Sequence, residues 1–288
     1  MTFKTARKLL PPLLADALRA PAKRLMSPRS AFEERELARL IKLPPNQRAT
    51  TNLFGAAFEV VDGASFAHSY LTFFRSQLYR FDLAAAKPFI LDCGANIGIS
   101  VAWWKNRYPA ARVVAFEPDP EIFEVLKRNC ARFRDVELVN AALWDREEEL
   151  PFSAKGGEGG HLSELSANPP TAAIRPVRCV RLRDFLGHRC DFLKMDIEGA
   201  ELEVLPDCED LLGNVERAFI EYHSFVGRPQ GLARTLAVLE HAGFRMHIRT
   251  EMPSPRPLEE LLIYNEKDLR LAIFCYRDRT SPRLAPWI

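Results

Sequence analysis

Between residues 88 and 276 the chain alternates short, almost unbroken apolar runs with longer segments of helical periodicity. The runs at 88–92, 112–117, 136–140, 192–196 and 218–222 are hydrophobic at successive positions rather than at every second one. Strands of that kind need cover on both faces. Helical patterns lie between them, at 97–108 (stopped by Pro109), at 120–133 and in the Leu232, Leu236, Leu239 repeat that ends at Gly243. The expected fold is therefore α/β: an open, doubly wound, mostly parallel sheet. Further strands are expected at 58–61, 177–182 and 271–276, with an aromatic-rich helix at 66–81. With 47% hydrophobic and 27% charged residues, the chain can bury such a core.

Charge is uneven along the chain. Residues 1–50 hold eleven Lys/Arg and four Asp/Glu, although the net charge of the whole is only +2. That overall balance argues against a nucleic-acid partner. Within residues 1–26, leucines at 9, 10, 13, 14, 18 and 25 interleave with Arg7, Lys8, Arg19, Lys23 and Arg24. Such a basic helical arm could rest peripherally on an anionic membrane surface. The competing expectation packs it on its own domain or on a second copy, as in a homodimer. Residues 1–50 thus read as a helical extension and 51–288 as the main domain. Six cysteines without a CxxC pair point to reduced thiols and a cytoplasmic setting.

In doubly wound sheets ligands bind outside the carboxyl ends of the strands. The first core strand runs into Leu91-Asp92-Cys93-Gly94-Ala95-Asn96-Ile97-Gly98. Gly94 allows a sharp turn and close approach to a ligand, and Gly98 allows the next helix to pack near the strand. Asn96 stands where a dinucleotide fingerprint needs its middle glycine, and Asp92 would repel a phosphate. Glu117, twenty-three residues after Gly94, ends the next strand and can accept two ribose hydroxyls. A phosphate-free, positively charged adenosyl donor fits these residues, namely S-adenosylmethionine. An NAD(P)-dependent sugar dehydrogenase or epimerase is the alternative that Asn96 argues against, and a non-catalytic binding module is a third.

The segments Leu91-Asp92-Cys93-Gly94-Ala95-Asn96-Ile97-Gly98, Phe116-Glu117-Pro118 and Phe192-Leu193-Lys194-Met195-Asp196-Ile197-Glu198-Gly199-Ala200-Glu201 resemble the FkbM-type S-adenosylmethionine-dependent methyltransferases. The resemblance runs over about residues 60–248. It implies a class I methyltransferase fold with seven strands, and O-methylation of a sugar, glycan-linked or other hydroxylated small molecule. It further implies that Asp92, Gly94 and Asn96 line the methionine end, Glu117 holds the ribose, and Asn140 and Ala141 lie near the adenine. Asp196 would sit beside the reacting methyl group.

Methyl transfer to a hydroxyl needs alignment and an acceptor for the proton. Candidates at adjacent strand ends are Asp196, Glu198, Glu221 and His223. His223 is the first choice of base, because an ordinary imidazole titrates nearest neutrality. Asp196 would orient the substrate or His223, or else cap the helix that follows. Asp196, Glu221 and His223 could also gather round a divalent metal, a reading not favoured because oxygen-rich ligand spacing is thin. Glu201 and Glu203 read as helix surface, and Trp103 and Trp104 as one core and one surface aromatic. Tyr79 could wall the cofactor pocket. Lys155-Gly156-Gly157-Glu158-Gly159-Gly160-His161 reads as a loop or a lid over the acceptor.

Overall fold

The computed structural model describes residues 28–81, 85–154, 159–166, 173–251 and 253–277. In chain order come α1 (Pro28–Ile41), β1 (Ala49–Thr51), β2 (Phe58–Val60) and α2 (Gly63–Tyr70), which runs into a π-helical turn at Leu71–Arg75. Then follow β3 (Phe89–Cys93), α3 (Ile99–Arg107), β4 (Arg112–Phe116), α4 (Pro120–Cys130) and β5 (Val136–Val139). The short strands β6 (Ala142–Trp144), β7 (Glu148–Ala154), β8 (His161–Leu162) and β9 (Ala173–Arg181) come next. The chain closes with β10 (Phe192–Met195), α5 (Glu201–Asp207), β11 (Arg217–Phe225), α6 (Leu232–His241), β12 (Arg245–Thr250) and β13 (Lys267–Tyr276).

Seven strands make the main sheet, in the order β12-β13-β11-β10-β3-β4-β5. Neighbours from β11 to β5 pair parallel, and β13 runs antiparallel to both β11 and β12. This is the doubly wound, mostly parallel sheet expected from the apolar runs. The chain winds outward from β3 to β5, then returns on the other side of β3 as β10. The switch point therefore lies between β3 and β10, and it positions the site.

Two elements depart from expectation. Of residues 177–182, all but Leu182 belong to β9, in a separate four-stranded sheet ordered β6-β9-β7-β8. Exposed and buried positions mix along β9, so one face is wet, unlike a strand covered on both sides. The edge strand β12 carries no apolar run: its six residues, Arg245 to Thr250, are exposed apart from Met246, which is half-buried. Charged, polar edges of this kind resist pairing with other chains but give no hydrophobic signal.

Trp103 and Trp104 are both buried, where one was expected at the surface. Trp103 is covered by the π-turn after α2, meeting Phe73 at 6.4 Å, and Trp104 packs on the sheet, meeting Phe192 of β10 at 4.9 Å between ring centres. In the same core cluster lie Leu37 and Leu40 of α1, both buried. A Cβ on Gly63 would stand 2.1 Å from the Leu40 carbonyl oxygen, so only glycine lets α2 start this close to α1. The described part of the N-terminal extension is thus packed onto the domain; the basic arm at residues 1–26 lies outside the described residues. Among the described residues no helix is long and apolar enough to cross a membrane. All six cysteines are free and buried.

Replacing Leu40 by Ala is expected to destabilise the protein by about 2–5 kcal/mol, as for other core leucines. Urea unfolding checks this, and a loss under about 1 kcal/mol would make α1 a dispensable appendage.

Candidate active site

A crevice opens at the carboxyl ends of β3, β4, β10 and β11, lined among others by Gly94, Asn96, Glu117, Ala141, Asp196 and Glu221. At its β3–β4 end the glycine turn is tied down by backbone bonds. The N–H groups of Gly94 and Ala95 donate to the Phe116 carbonyl at 3.1 and 2.8 Å. Gly94 adopts φ +82°, and a Cβ there would stand 1.9 Å from the Asp196 carbonyl oxygen. The close approach that demands glycine is thus to β10's own backbone, where the sequence suggested a ligand. Gly98 likewise serves packing: its Cβ would meet Leu126 Cδ1 at 2.8 Å and Cys130 Sγ at 2.9 Å on α4. Gly98 is absent from the crevice wall.

Glu117 is buried, and its two carboxylate oxygens accept N–H bonds from Asn96 at 3.0 Å and Asp119 at 2.9 Å. Burial nevertheless pushes its pKa up to about 8. Glu117 itself lines the crevice, where ribose hydroxyls were expected. The Asn96 side chain accepts the Ile97 N–H at 2.6 Å and so occupies a donor that a phosphate would otherwise use. Asn140 does not reach the crevice wall; its amide donates to the Glu117 and Pro118 carbonyls and braces that turn. Asp92 is fully buried beneath the wall, without a hydrogen bond, 3.6 Å from Lys194 Nζ. Neither Asp92 nor Asn140, expected near the methionine and adenine ends, is part of the crevice wall.

Lys194, unassigned from sequence, links the two halves. Its ammonium donates to the Gly94 carbonyl at 2.9 Å and lies 3.6 Å from both Asp92 and Asp196. Burial opposes its charge, but Asp196 and Asp92 together outweigh that and raise its pKa. A lysine in the middle of an apolar strand was the available signal.

At the β10–β11 end the expected acids do come together around His223. The imidazole Nδ1 lies 3.1 Å from Glu201. Its Nε2 lies 3.6 Å from Glu198 and Glu221 and 4.0 Å from Asp196. Burial would depress its pKa, yet Glu201 and Glu198 pull it up to about 10. One ion pair at 4 Å is worth about 4 kcal/mol at an effective dielectric of 20. Several carboxylates therefore exceed the several-kcal/mol cost of burying one imidazolium. His223 is thus held toward its charged form and is absent from the crevice wall, which disfavours the role of base expected for it. Glu201, expected on the helix surface, is fully buried and holds this cation.

Asp196 differs from its neighbours. It faces the crevice, and burial with the nearby Glu221 carries its pKa up to about 7. It does not cap α5, whose N-cap position is Ala200. Glu198 is held low, against burial, by His223 and by Lys267 at 2.6 Å. Glu221 is likewise held low by Arg270, which donates to it from Nε at 2.8 Å and again from Nη2. Ligand atoms of Asp196, Glu221 and His223 lie within 4.8 Å of one another. A divalent ion could enter there only by displacing the cations that already neutralise the two acids. Tyr79 does line the crevice, its ring 4.5 Å from that of Phe73. Gly159 and Gly160 line it too, while residues 155–158 of that loop lie outside the described residues.

A model of the methyltransferase FkbM domain matches residues 92–246, from the glycine turn through the acid cluster to β12. The chain belongs to the FkbM methyltransferase family. Its seven-stranded sheet is accordingly that of a class I methyltransferase. Methyltransferase sdnD of Sordaria araneosa is 29% identical over 211 residues, covering 61% of this chain and 80% of that protein. The 2-O-methyltransferase NoeI of Sinorhizobium fredii is 27% identical over 154 residues, covering 47% and 63%. The 31-O-demethyl-FK506 methyltransferase FkbM of Streptomyces tacrolimicus is 27% identical over 189 residues, covering 54% and 72%. Among solved structures, a methyltransferase FkbM from Methylobacillus flagellatus aligns with 20% identity and a TM-score of 0.47, over 71% of this chain and 47% of that one.

The folded-state pKa of His223 lies above its unfolded value, so its contribution to stability is complete below about pH 6.5 and is lost as pH rises through about 10. Imidazole nitrogen shifts are expected to remain those of an imidazolium at pH 8.5. A neutral ring at that pH would contradict the assignment.

Proposed function

We propose that this chain is an S-adenosylmethionine-dependent O-methyltransferase acting on a hydroxyl of a sugar, a glycan-linked group or another hydroxylated small molecule. One observation carries the reading. Asp196 is a carboxylate of raised proton affinity, facing the crevice, whose carbonyl lies against the glycine turn that bounds the donor end. FkbM family membership and the O-methyltransferase names of two relatives support it.

S-adenosylmethionine, when bound, supplies a methyl group on a positively charged sulfur. Glu117 would accept hydrogen bonds from its ribose hydroxyls, and the apolar Phe116, Ala141 and Leu143 wall the same end. The chain's task at the other end is to take a proton. A carboxylate whose pKa lies near 7 is the better matched base, because Brønsted behaviour favours groups that titrate near operating pH. Asp196 would therefore hold the acceptor hydroxyl and receive its proton. The buried His223 imidazolium and Lys194 limit the charge that accumulates there. Arg270 keeps Glu221 ionised and fixed, so that only one carboxyl of the group titrates in the working range.

Asp196→Asn is expected to keep donor affinity, by calorimetry, and to lower turnover by roughly 10²–10⁴-fold. A variant as fast as the parent removes Asp196 from proton transfer. Glu117→Ala is expected to weaken donor binding. It also strands the Asn96 and Asp119 N–H groups, at a cost of about 1–3 kcal/mol each in stability. Turnover is expected to survive chelation by EDTA, since lysine and arginine already balance the acids. Loss of turnover restored by magnesium would reverse that.

A further inference from the structure

Outside the matched family region, α2 presents a second histidine to the crevice. Ser65, His68, Ser69 and Thr72 all line it, at spacings of three, four and seven residues. Those spacings place them on one helical face. The apolar residues between them are buried: Ala67 and Tyr70 sit in the core, and the buried Phe66 and Phe73 also border the crevice. A polar stripe on a helix ordinarily meets solvent; this one meets a cavity. Its last member, Thr72, already lies in the π-turn Leu71–Arg75, and such turns concentrate at functional sites. The start of α2 is fixed by Asp62, which accepts the Ser65 N–H at 2.8 Å and the Asn46 N–H at 2.9 Å, and by Gly63 against α1. The stripe is therefore held rigidly.

His68 is unlike His223 in every relevant respect. It is half-buried and faces the cavity, and its ring has no hydrogen-bond partner among the described residues. Burial and the Arg270 guanidinium lower its pKa, against the weaker pull of Glu221, so the ring is neutral and carries one donor and one acceptor. Arg270 of β13 and Glu221 of β11 both act on the ring and share the crevice wall with it. Three hydroxyls and a neutral imidazole carry no charge, and that charged pair is already matched. Such a wall pairs with neighbouring hydroxyl groups of an uncharged ligand and gives an ion nothing.

We propose that α2 is the acceptor-binding wall, taking an uncharged polyhydroxylated ring against Ser65, His68, Ser69 and Thr72, with the His68 imidazole in direct hydrogen bond to acceptor hydroxyls. The inference rests on the methyl-transfer reading above and assigns its acceptor subsite to residues that the family region lacks.

The test uses the full chain, radiolabelled S-adenosylmethionine, and a panel of methyl glycosides of fucose, rhamnose, mannose and glucose, with glucosamine and glucuronate as charged comparators. Neutral glycosides are expected to accept label in preference to the charged sugars. His68→Phe and Thr72→Val, which keep volume and lose hydrogen bonds, should each raise the acceptor KM by roughly tenfold. Donor affinity by calorimetry should stay within about twofold. Should His68→Phe fail to fold, Thr72→Val and Ser69→Ala carry the same test. Variants with parental KM, preference for a charged sugar, or no transfer to any glycoside by a parent that binds donor would each overturn the subsite. A parent that binds no donor would instead overturn the underlying methyl-transfer reading.

Discussion

Five carboxylates (Asp92, Asp196, Glu198, Glu201 and Glu221) crowd the carboxyl ends of three adjacent strands and the turn beyond them, and four cations lie interleaved among them. Lys194 sits between Asp92 and Asp196, Arg270 clamps Glu221, Lys267 meets Glu198, and the His223 imidazolium fills the centre. Removing one partner from a buried pair typically costs about 3–5 kcal/mol, because the other charge is left stranded. No member of this group can be varied alone without that penalty. The main sheet, α5 and the antiparallel strand β13 are thereby locked in one relative position. The crevice inherits its shape from this lattice of charges.

The same arrangement separates roles that look alike in sequence. Glu198 and Glu221 are pinned as anions by close cations, whereas Asp196 has only the more distant Lys194 and His223, at 3.6 and 4.0 Å, and gains a proton more readily. Two histidines divide in parallel fashion, His223 charged and enclosed, His68 neutral and facing the cavity. Environment, not residue type, decides which group handles a proton and which supplies a field.

The sheet was legible because its strands are buried on both faces and leave unbroken apolar runs. Strand β12 was not, since an exposed polar edge leaves no such run. The acid cluster could be located, as its members end neighbouring strands, but the charge of His223 depends on distances that spacing does not encode. Glu201 was misread as surface. The turn before it holds Glu198 at φ +58° and Gly199 at φ +107°, and this left-handed pair swings the start of α5 back beneath β11. His68 went unnoticed because the aromatic residues beside it dominate the segment, and the polar positions between them look solvated. Gly94 was correctly singled out for a backbone constraint, but the body it must avoid is Asp196.

That last contact has an evolutionary consequence. The glycine bend and Asp196 meet through main-chain atoms, with no side chain between them to absorb a change. Any side chain at position 94 would press on the Asp196 carbonyl. On the proposed reading, room to fit a different acceptor lies away from this junction, in the N-terminal helices, where replacements reshape one wall only.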